Sequence, residues 1–331
     1  MQTMTPARTM PRRRRLRRRW VPIVGLAVIV VLSVAGFLVA RTFLTLAGTA
    51  TATATVTPGT VAVPNLPWPS EGQAAAEIEG VGSLGSSGDS TPVPIASVTK
   101  VMTAYVVLHD HPLPGGEDGP AITVDDQAQQ ESHSSDESTV PVRAGQQFSE
   151  RQMLELMLIP SGNNIARLLA RWDAGSQDSF VRKMNATAAA FDMHQTTYTG
   201  ASGVENSTVS TATDQLILAR AALDNPAIAG IVALRSVHVP GVPKTIVNTN
   251  TLLGQDGVIG LKTGSTSAAG GALMWAARSD NASGSRLIVG VVLYQSPGGS
   301  PNDGLDAALA ASRQLVEGIE KALPNISHYT R

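Results

Sequence analysis

The sequence predicts an α+β fold: an antiparallel sheet flanked by helices plus an all-helical subdomain, preceded by one transmembrane helix. Three observations predict it. A stretch of about twenty residues near the N-terminus is apolar and uncharged, helix-period patterns crowd the middle of the chain, and short β-type runs between Gly/Ser/Asn turns follow before a last helical stretch. Hairpin-length connections between the late runs favour antiparallel pairing, because parallel strands need long crossovers.

The first element is the membrane segment. Trp20 to Ala40 carries no charge and is long enough, at about 1.5 Å per residue, to cross a hydrocarbon core of roughly 30 Å. Nine arginines and no acid occur in residues 1–41, most of them directly before this stretch. The positive-inside rule therefore puts residues 1–19 in the cytoplasm, makes 20–41 a signal-anchor, and leaves the rest extracytoplasmic. A cleaved signal peptide is the competing reading, with Ala50-Thr51-Ala52 as its cleavage site and a secreted product. A basic run can bind nucleic acid, but one that abuts an apolar span orients a membrane segment, so no nucleic-acid partner is expected. Residues 42–70, rich in Thr, Ala and Pro, read as an extended linker able to reach roughly 90 Å.

The formal net charge of −1, from 25 Lys+Arg and 26 Asp+Glu, conceals this division. Removing the nine N-terminal arginines leaves 16 basic residues against 26 acids over 42–331, so the exported body is acidic. The chain has no cysteine, which excludes disulfide scaffolds, thiolate metal centres and cysteine nucleophiles.

Residues 71–331, about 260, suit one catalytic unit. A first strand is expected over 77–81 and an apolar helix over 98–108, opened by Ser97. Ser149-Glu-Arg-Gln152 is a capping-box pattern for a helix running to Ile159 and stopped by Pro160. Helices follow at 163–172, 178–191 and 214–223, strands at 246–250, 258–263, 272–278 and 286–294, and a closing helix at 304–323.

Several motifs carry no chemistry. Gly80-Val-Gly82-Ser-Leu-Gly85 matches a dinucleotide fingerprint but opens no helix, so it reads as a hairpin turn. His109-Asp110-His111 falls where a helix gives way to a Pro/Gly-rich loop and reads as solvated. The acid-rich run 125–138 lacks EF-hand spacing and reads as a solvated or lid-like loop. No metal or cofactor is expected.

Three elements in order do carry chemistry: Ser97-Val-Thr-Lys100, Ser161-Gly-Asn163 and Lys262-Thr263-Gly264. Singly they are weak, but each has the local context its chemistry needs. Ser97 and Lys100, at i and i+3 near a helix start, share one face. Pro160 leaves Ser161 and Asn163 on a connection, where short side chains can point into a cleft. Lys262 to Gly264 ends a strand, and Gly264 allows close backbone approach.

On these motifs, and on segments such as PIASVTKVMTAYVVL (94–108), LMLIPSGNNIARLLA (156–170) and NTNTLLGQDGVIGLKTGSTSAAGGAL (248–273), the chain resembles the penicillin-binding proteins from about residue 77 to 323. Within them it is similar to the low-molecular-mass D-alanyl-D-alanine carboxypeptidases. The resemblance implies a β-lactamase/transpeptidase-like fold, removal of the terminal D-alanine from peptidoglycan stem peptides ending in D-Ala-D-Ala, and covalent inhibition by β-lactams. It implies Ser97 as nucleophile, Lys100 as its neutral amine base, Ser161 as proton relay and Asn163 as a substrate-binding residue that also holds Lys100. Lys262 and Thr263 would bind the substrate carboxylate. Gly264 would lie in the strand edge that takes the peptide, and the Ser97 and Ser265 N–H groups would form the oxyanion hole. The family pattern continues SGND, whereas position 164 is Asn, the loss of a carboxylate beside the site. Two alternatives stand: a serine β-lactamase-like hydrolase, for which no ExxLN segment is present, and an inactive wall-binding homologue.

Overall fold

The computed structural model of the chain describes residues 65–281 and 284–326. The expected cytoplasmic segment, the anchor over 20–41 and most of the linker lie outside the described residues. Among the described residues no helix is long and apolar enough to cross a membrane.

In chain order the elements are β1 (Gln73–Ile78), β2 (Gly82–Ser87), β3 (Val93–Pro94), a 3-10 turn (Ala96–Thr99), α1 (Lys100–Asp110), β4 (Ala121–Thr123), α2 (Asp126–Glu131), β5 (Gln147–Ser149), α3 (Glu150–Leu158), α4 (Asn163–Ala174) and α5 (Gln177–Ala190). Then come β6 (Val209–Ser210), α6 (Ala212–Leu223), α7 (Pro226–Val232), β7 (Ser236–Val237), β8 (Ile246–Val247), β9 (Val258–Thr266), β10 (Gly270–Asn281), β11 (Gly284–Gln295) and α8 (Pro301–Ile326). The main sheet has five strands in the order β2-β1-β11-β10-β9, all antiparallel. This is the α+β arrangement the late strand runs predict. The Gly80–Gly85 match falls on the β1–β2 hairpin, with Gly80 in the turn and Gly82 to Gly85 already in β2.

Both faces of the sheet are covered, and strand alternation divides the core in two. Ala74, Ala76 and Ile78 of β1, Leu273, Trp275 and Ala277 of β10, and Ile288 and Val292 of β11 pack with α8. That helix turns Ala308, Leu315, Val316, Ile319 and Leu323 inward at helical spacing. Ala75, Ala272, Met274, Val289, Val291 and Leu293 face the helical subdomain instead. A side chain of this kind fully buried contributes on the order of 1.5–3 kcal/mol, so coverage of both faces is what holds the sheet to its helices. Two glycines set the clearances. A Cβ on Gly290 would lie 2.1 Å from the Trp275 ring, and one on Gly271 would lie 1.7 Å from the Gly304 carbonyl at the start of α8.

The body begins earlier than the first predicted strand. Leu66 is buried with the α8 cluster, and Pro67 lies against Gly318. The first strand runs over 73–78, four residues ahead of the expected start. The capping box at Ser149 is present in full: the Ser149 hydroxyl accepts from the Gln152 N–H and the Gln152 side chain accepts from the Ser149 N–H.

One stretch is held more firmly than its reading as a solvated or lid-like loop. The acid-rich run 125–138 is tied to α4: Asp125 caps α2 and accepts from Arg171, while Glu137 accepts two hydrogen bonds from Arg167. His109 and Asp110, both exposed, end α1 where the helix gives way to a loop, as expected, and Asp110 pairs with Lys183 at 2.7 Å. In both places opposite charge on neighbouring helices takes up groups that the local sequence leaves unpaired.

Candidate active site

The three motifs converge at one end of α1. Ile95-Ala96 bends the chain, with Ala96 at φ +46°, and the 3-10 turn carries Ser97 to the start of α1. Lys100 is fully buried, whereas Ser97 keeps partial exposure. Pro160 follows the end of α3, in its connection to α4. Ser161 follows in a left-handed conformation at φ +66°, and Asn163 opens α4. The third motif lies on β9, an edge strand of the sheet. A Cβ on Gly264 would sit 2.9 Å from the Ser97 nitrogen and 3.0 Å from that of Val98, so only a bare backbone lets β9 approach the turn this closely.

Lys100 is the hub. Its Nζ lies 2.8 Å from Ser97 Oγ, 2.5 Å from Asn163 Oδ1 and 2.7 Å from the Ser202 carbonyl oxygen. Thr103, one turn along α1, donates to the neighbouring Ala201 carbonyl at 2.7 Å and holds the same loop. Burial first, and then the charges of Lys262 and Arg167, push the Lys100 amine well below the ordinary lysine range. A neutral amine has two N–H bonds and one lone pair. Spent on Asn163 Oδ1 and the Ser202 carbonyl, the two N–H bonds leave the lone pair for the Ser97 hydroxyl. The arrangement can therefore take a proton from Ser97 without a histidine or a carboxylate.

Lys262 is also buried, 1% exposed, and its Nζ donates to the Thr263 carbonyl at 2.8 Å. Burial pushes its amine down to about 7. The Thr263 hydroxyl pairs with that of Thr249 at 2.5 Å. Ser161 is 6% exposed, and its hydroxyl has no hydrogen-bond partner among the described residues. Ser265 follows on β9, partly exposed and paired with Gly271. All eight residues named from the motifs are thus placed on the 3-10 turn and first turn of α1, the connection that opens α4, and the edge strand β9.

Asn164 is elsewhere. It is fully buried and turned toward the 138–140 segment, where its carbonyl accepts the Val140 N–H and its amide donates to the Val140 and Ala128 carbonyls. A carboxylate could not make those two donations. The expectation of a carboxylate lost beside the site is corrected: Asn164 fastens the connection that carries Glu137.

Four contributors were not read from the sequence. The Ser202 carbonyl and Glu137 come from segments that no motif marks, while Arg167 and Thr249 lie inside segments quoted for the resemblance without being singled out. One signal did exist, since Arg167 is four residues after Asn163 and so lies on the same face of α4. Asn163 Nδ2 donates to Glu137 at 2.8 Å. Burial works to raise the Glu137 carboxyl. The hydrogen bonds and charge of Arg167, with help from Asn163 and Lys100, more than offset it and hold the group below the usual carboxylate range.

Comparison with known proteins agrees with this geometry. The family model described as D-alanyl-D-alanine carboxypeptidase, peptidase family S11, matches residues 84–296. The D-alanyl-D-alanine carboxypeptidase DacB2 of Mycobacterium tuberculosis is 34% identical over 242 residues, covering 71% of this chain and 78% of that protein. A D-alanyl-D-alanine endopeptidase of Pseudomonas aeruginosa is 43% identical over 122 residues, 37% of each chain. A solved penicillin-binding protein homologue from Mycobacterium tuberculosis superposes with a TM-score of 0.65 at 29% identity, covering 78% of this chain and 94% of that one. The turn that offers Ser97 to a buried lysine and the match over most of the body lead to one assignment: the chain belongs to the D-alanyl-D-alanine carboxypeptidase family, the S11 peptidases, and is a serine-type hydrolase.

Proposed function

We propose that the chain is a membrane-anchored, extracytoplasmic peptidase that removes the terminal D-alanine from peptidoglycan stem peptides through an acyl-enzyme on Ser97. The observation that carries this reading is the buried Lys100 amine, 2.8 Å from Ser97 Oγ and supplied with two other acceptors. The Ser97 proton passes to Lys100 as Oγ attacks the carbonyl of the penultimate D-alanine. The oxyanion forms between the Ser97 and Ser265 N–H groups. The C–N bond then breaks, the leaving amine takes a proton through Ser161, and D-alanine departs. Water, deprotonated by the same amine, hydrolyses the ester and frees Ser97.

The peptide would add alongside β9, whose edge position leaves main-chain groups open to pairing. Lys262 and Thr263 would hold the terminal carboxylate, and that negative charge would raise the Lys262 amine again. A β-lactam presents a carbonyl and a carboxylate to the same groups and would acylate Ser97. With no ExxLN glutamate to direct water, the adduct should persist rather than turn over. The uncharged stretch after the arginine block supports a single-pass anchor with its N-terminus in the cytoplasm, and cleavage would give a secreted form.

The test is release of free D-alanine from a pentapeptide by the full chain in detergent, beside Ser97→Ala. Stoichiometric release in the first and none in the second is expected. Rapid hydrolysis of penicillin with little D-alanine would favour the lactamase-like alternative, and neither activity would favour the inactive homologue. Cross-linked stem dimers in the same assay separate carboxypeptidase from endopeptidase cleavage.

A further inference from the structure

Asn163 presents chemically different ends to its two neighbours, and only one orientation of its amide suits Lys100. Its Oδ1 accepts from Lys100 Nζ while its Nδ2 donates to Glu137 Oε2. Rotated by half a turn, the amide would aim an N–H donor at the Lys100 nitrogen and occupy the lone pair that Ser97 needs. A carboxylate is acceptor-only, so it admits the NH2 end of Asn163 and refuses the oxygen. Glu137 is itself fixed by a bidentate pair with Arg167, at 2.9 Å to Oε1 and 2.7 Å to Oε2. The Ser138 carbonyl accepts the Asn163 N–H at 2.8 Å, which ties the two segments together next to this contact.

We infer that Glu137 is a positioning residue: held by Arg167, it fixes the amide orientation of Asn163 and through it keeps the Lys100 lone pair on the Ser97 hydroxyl. This rests on the proposed Ser97 acylation but assigns the control of that step to a residue outside the three motifs. The charged groups facing the contact are Arg167, Lys100, Glu131, which lies 3.8 Å from Arg167, and Glu205, whose charge acts on both Lys100 and Arg167.

The decisive comparison is Glu137→Leu beside Glu137→Gln. Glu137 Oε2 accepts from both Arg167 and Asn163, so a glutamine oxygen in that place serves both donors and keeps the Asn163 amide as it is. Leucine leaves nothing to refuse the Asn163 oxygen. The second-order rate of acylation by a fluorescent penicillin is expected to fall by about 10²-fold in Glu137→Leu, the lower end of what a misdirected base costs, and to stay within about tenfold of wild type in Glu137→Gln. A merely structural ion pair predicts instead that both variants lose rate alike, because both remove the charge that faces Arg167. Arg167→Met by itself leaves the acceptor in place and should stay within about threefold of wild type at neutral pH, with the acid limb of its rate profile moved to higher pH. The inference is overturned if Glu137→Leu acylates within about threefold of wild type, if Glu137→Gln is as slow as Glu137→Leu, or if Arg167→Met alone is as damaging. Failure of the wild-type chain to acylate would refute the proposed function instead, so the two outcomes are distinguishable.

Discussion

Gly264 offers a strict test of how closely the edge strand must approach the nucleophile. Substitution by alanine would place a Cβ 2.9 Å from the Ser97 nitrogen, 3.0 Å from the Val98 nitrogen and 3.1 Å from the Ile95 carbonyl oxygen, against an ordinary contact of at least 3.4 Å. All three neighbours are backbone atoms, so no rotamer change can relieve the overlap, and β9 and the 3-10 turn must part by about half an ångström. Overpacking of this kind costs about 1–3 kcal/mol, or a fall in melting temperature of roughly 2–10 °C for a domain of this size. Displacement by about 1 Å costs on the order of 10² in rate, so about half that shift predicts roughly tenfold slower acylation. Stopped-flow acylation with a fluorescent penicillin measures it. Gly230→Ala, in α7 with nothing within 4 Å of its added Cβ, is the control and should leave the rate unchanged. Acylation of Gly264→Ala within about threefold of wild type at an unchanged melting temperature would refute the reasoning.

Two further predictions concern groups around the site. With burial holding the Lys262 amine at about 7 in the free protein, kcat/KM for a carboxylate-terminated substrate should fall as pH rises above about 7, because the protonated form binds the carboxylate. Lys262→Arg, which stays charged, should remove that alkaline limb, and an unchanged limb would assign it to another group. Asn164→Asp leaves the Val140 and Ala128 carbonyls without donors and buries a carboxyl, so it should cost on the order of 2 kcal/mol. Chemical denaturation reads this directly, and a cost near zero would contradict the bracing role given to Asn164.

The parts of the fold that were legible in the sequence are those where local chemistry and tertiary position agree. Strands β10 and β11 announce themselves because both faces of the sheet are buried, which turns their sequences into continuous apolar runs between Gly and Ser turns. Ser149 and Gln152 mark the start of α3 because the cap is made entirely of residues three apart. Strand β1 begins earlier than expected for the opposite reason. Gln73-Ala-Ala-Ala76 has little strand propensity, and its small side chains are selected by the packing on either side of the sheet. The two-residue pairs β3–β6 and β7–β8 are too short to leave a period.

The site divides the same way. Ser97 and Lys100 are three residues apart on one turn and could be read together. The Ser202 carbonyl reaches Lys100 across 102 residues of sequence and contributes no side chain to be recognised. Glu137 reaches Asn163 across 26 residues from a run whose composition suggests a solvated or lid-like loop. Both enter the site through chain topology, which residue types and spacing do not encode.

The central claim is that Ser97 is the residue that becomes covalently modified. Intact-mass measurement on the full chain after incubation with benzylpenicillin, followed by peptide mapping, tests it most directly. One penicilloyl group per chain, located on the peptide containing Ser97, persistent after removal of free drug and absent from Ser97→Ala, is the predicted result. A wild-type chain that gains no mass, or an adduct that survives the Ser97→Ala substitution, would contradict it.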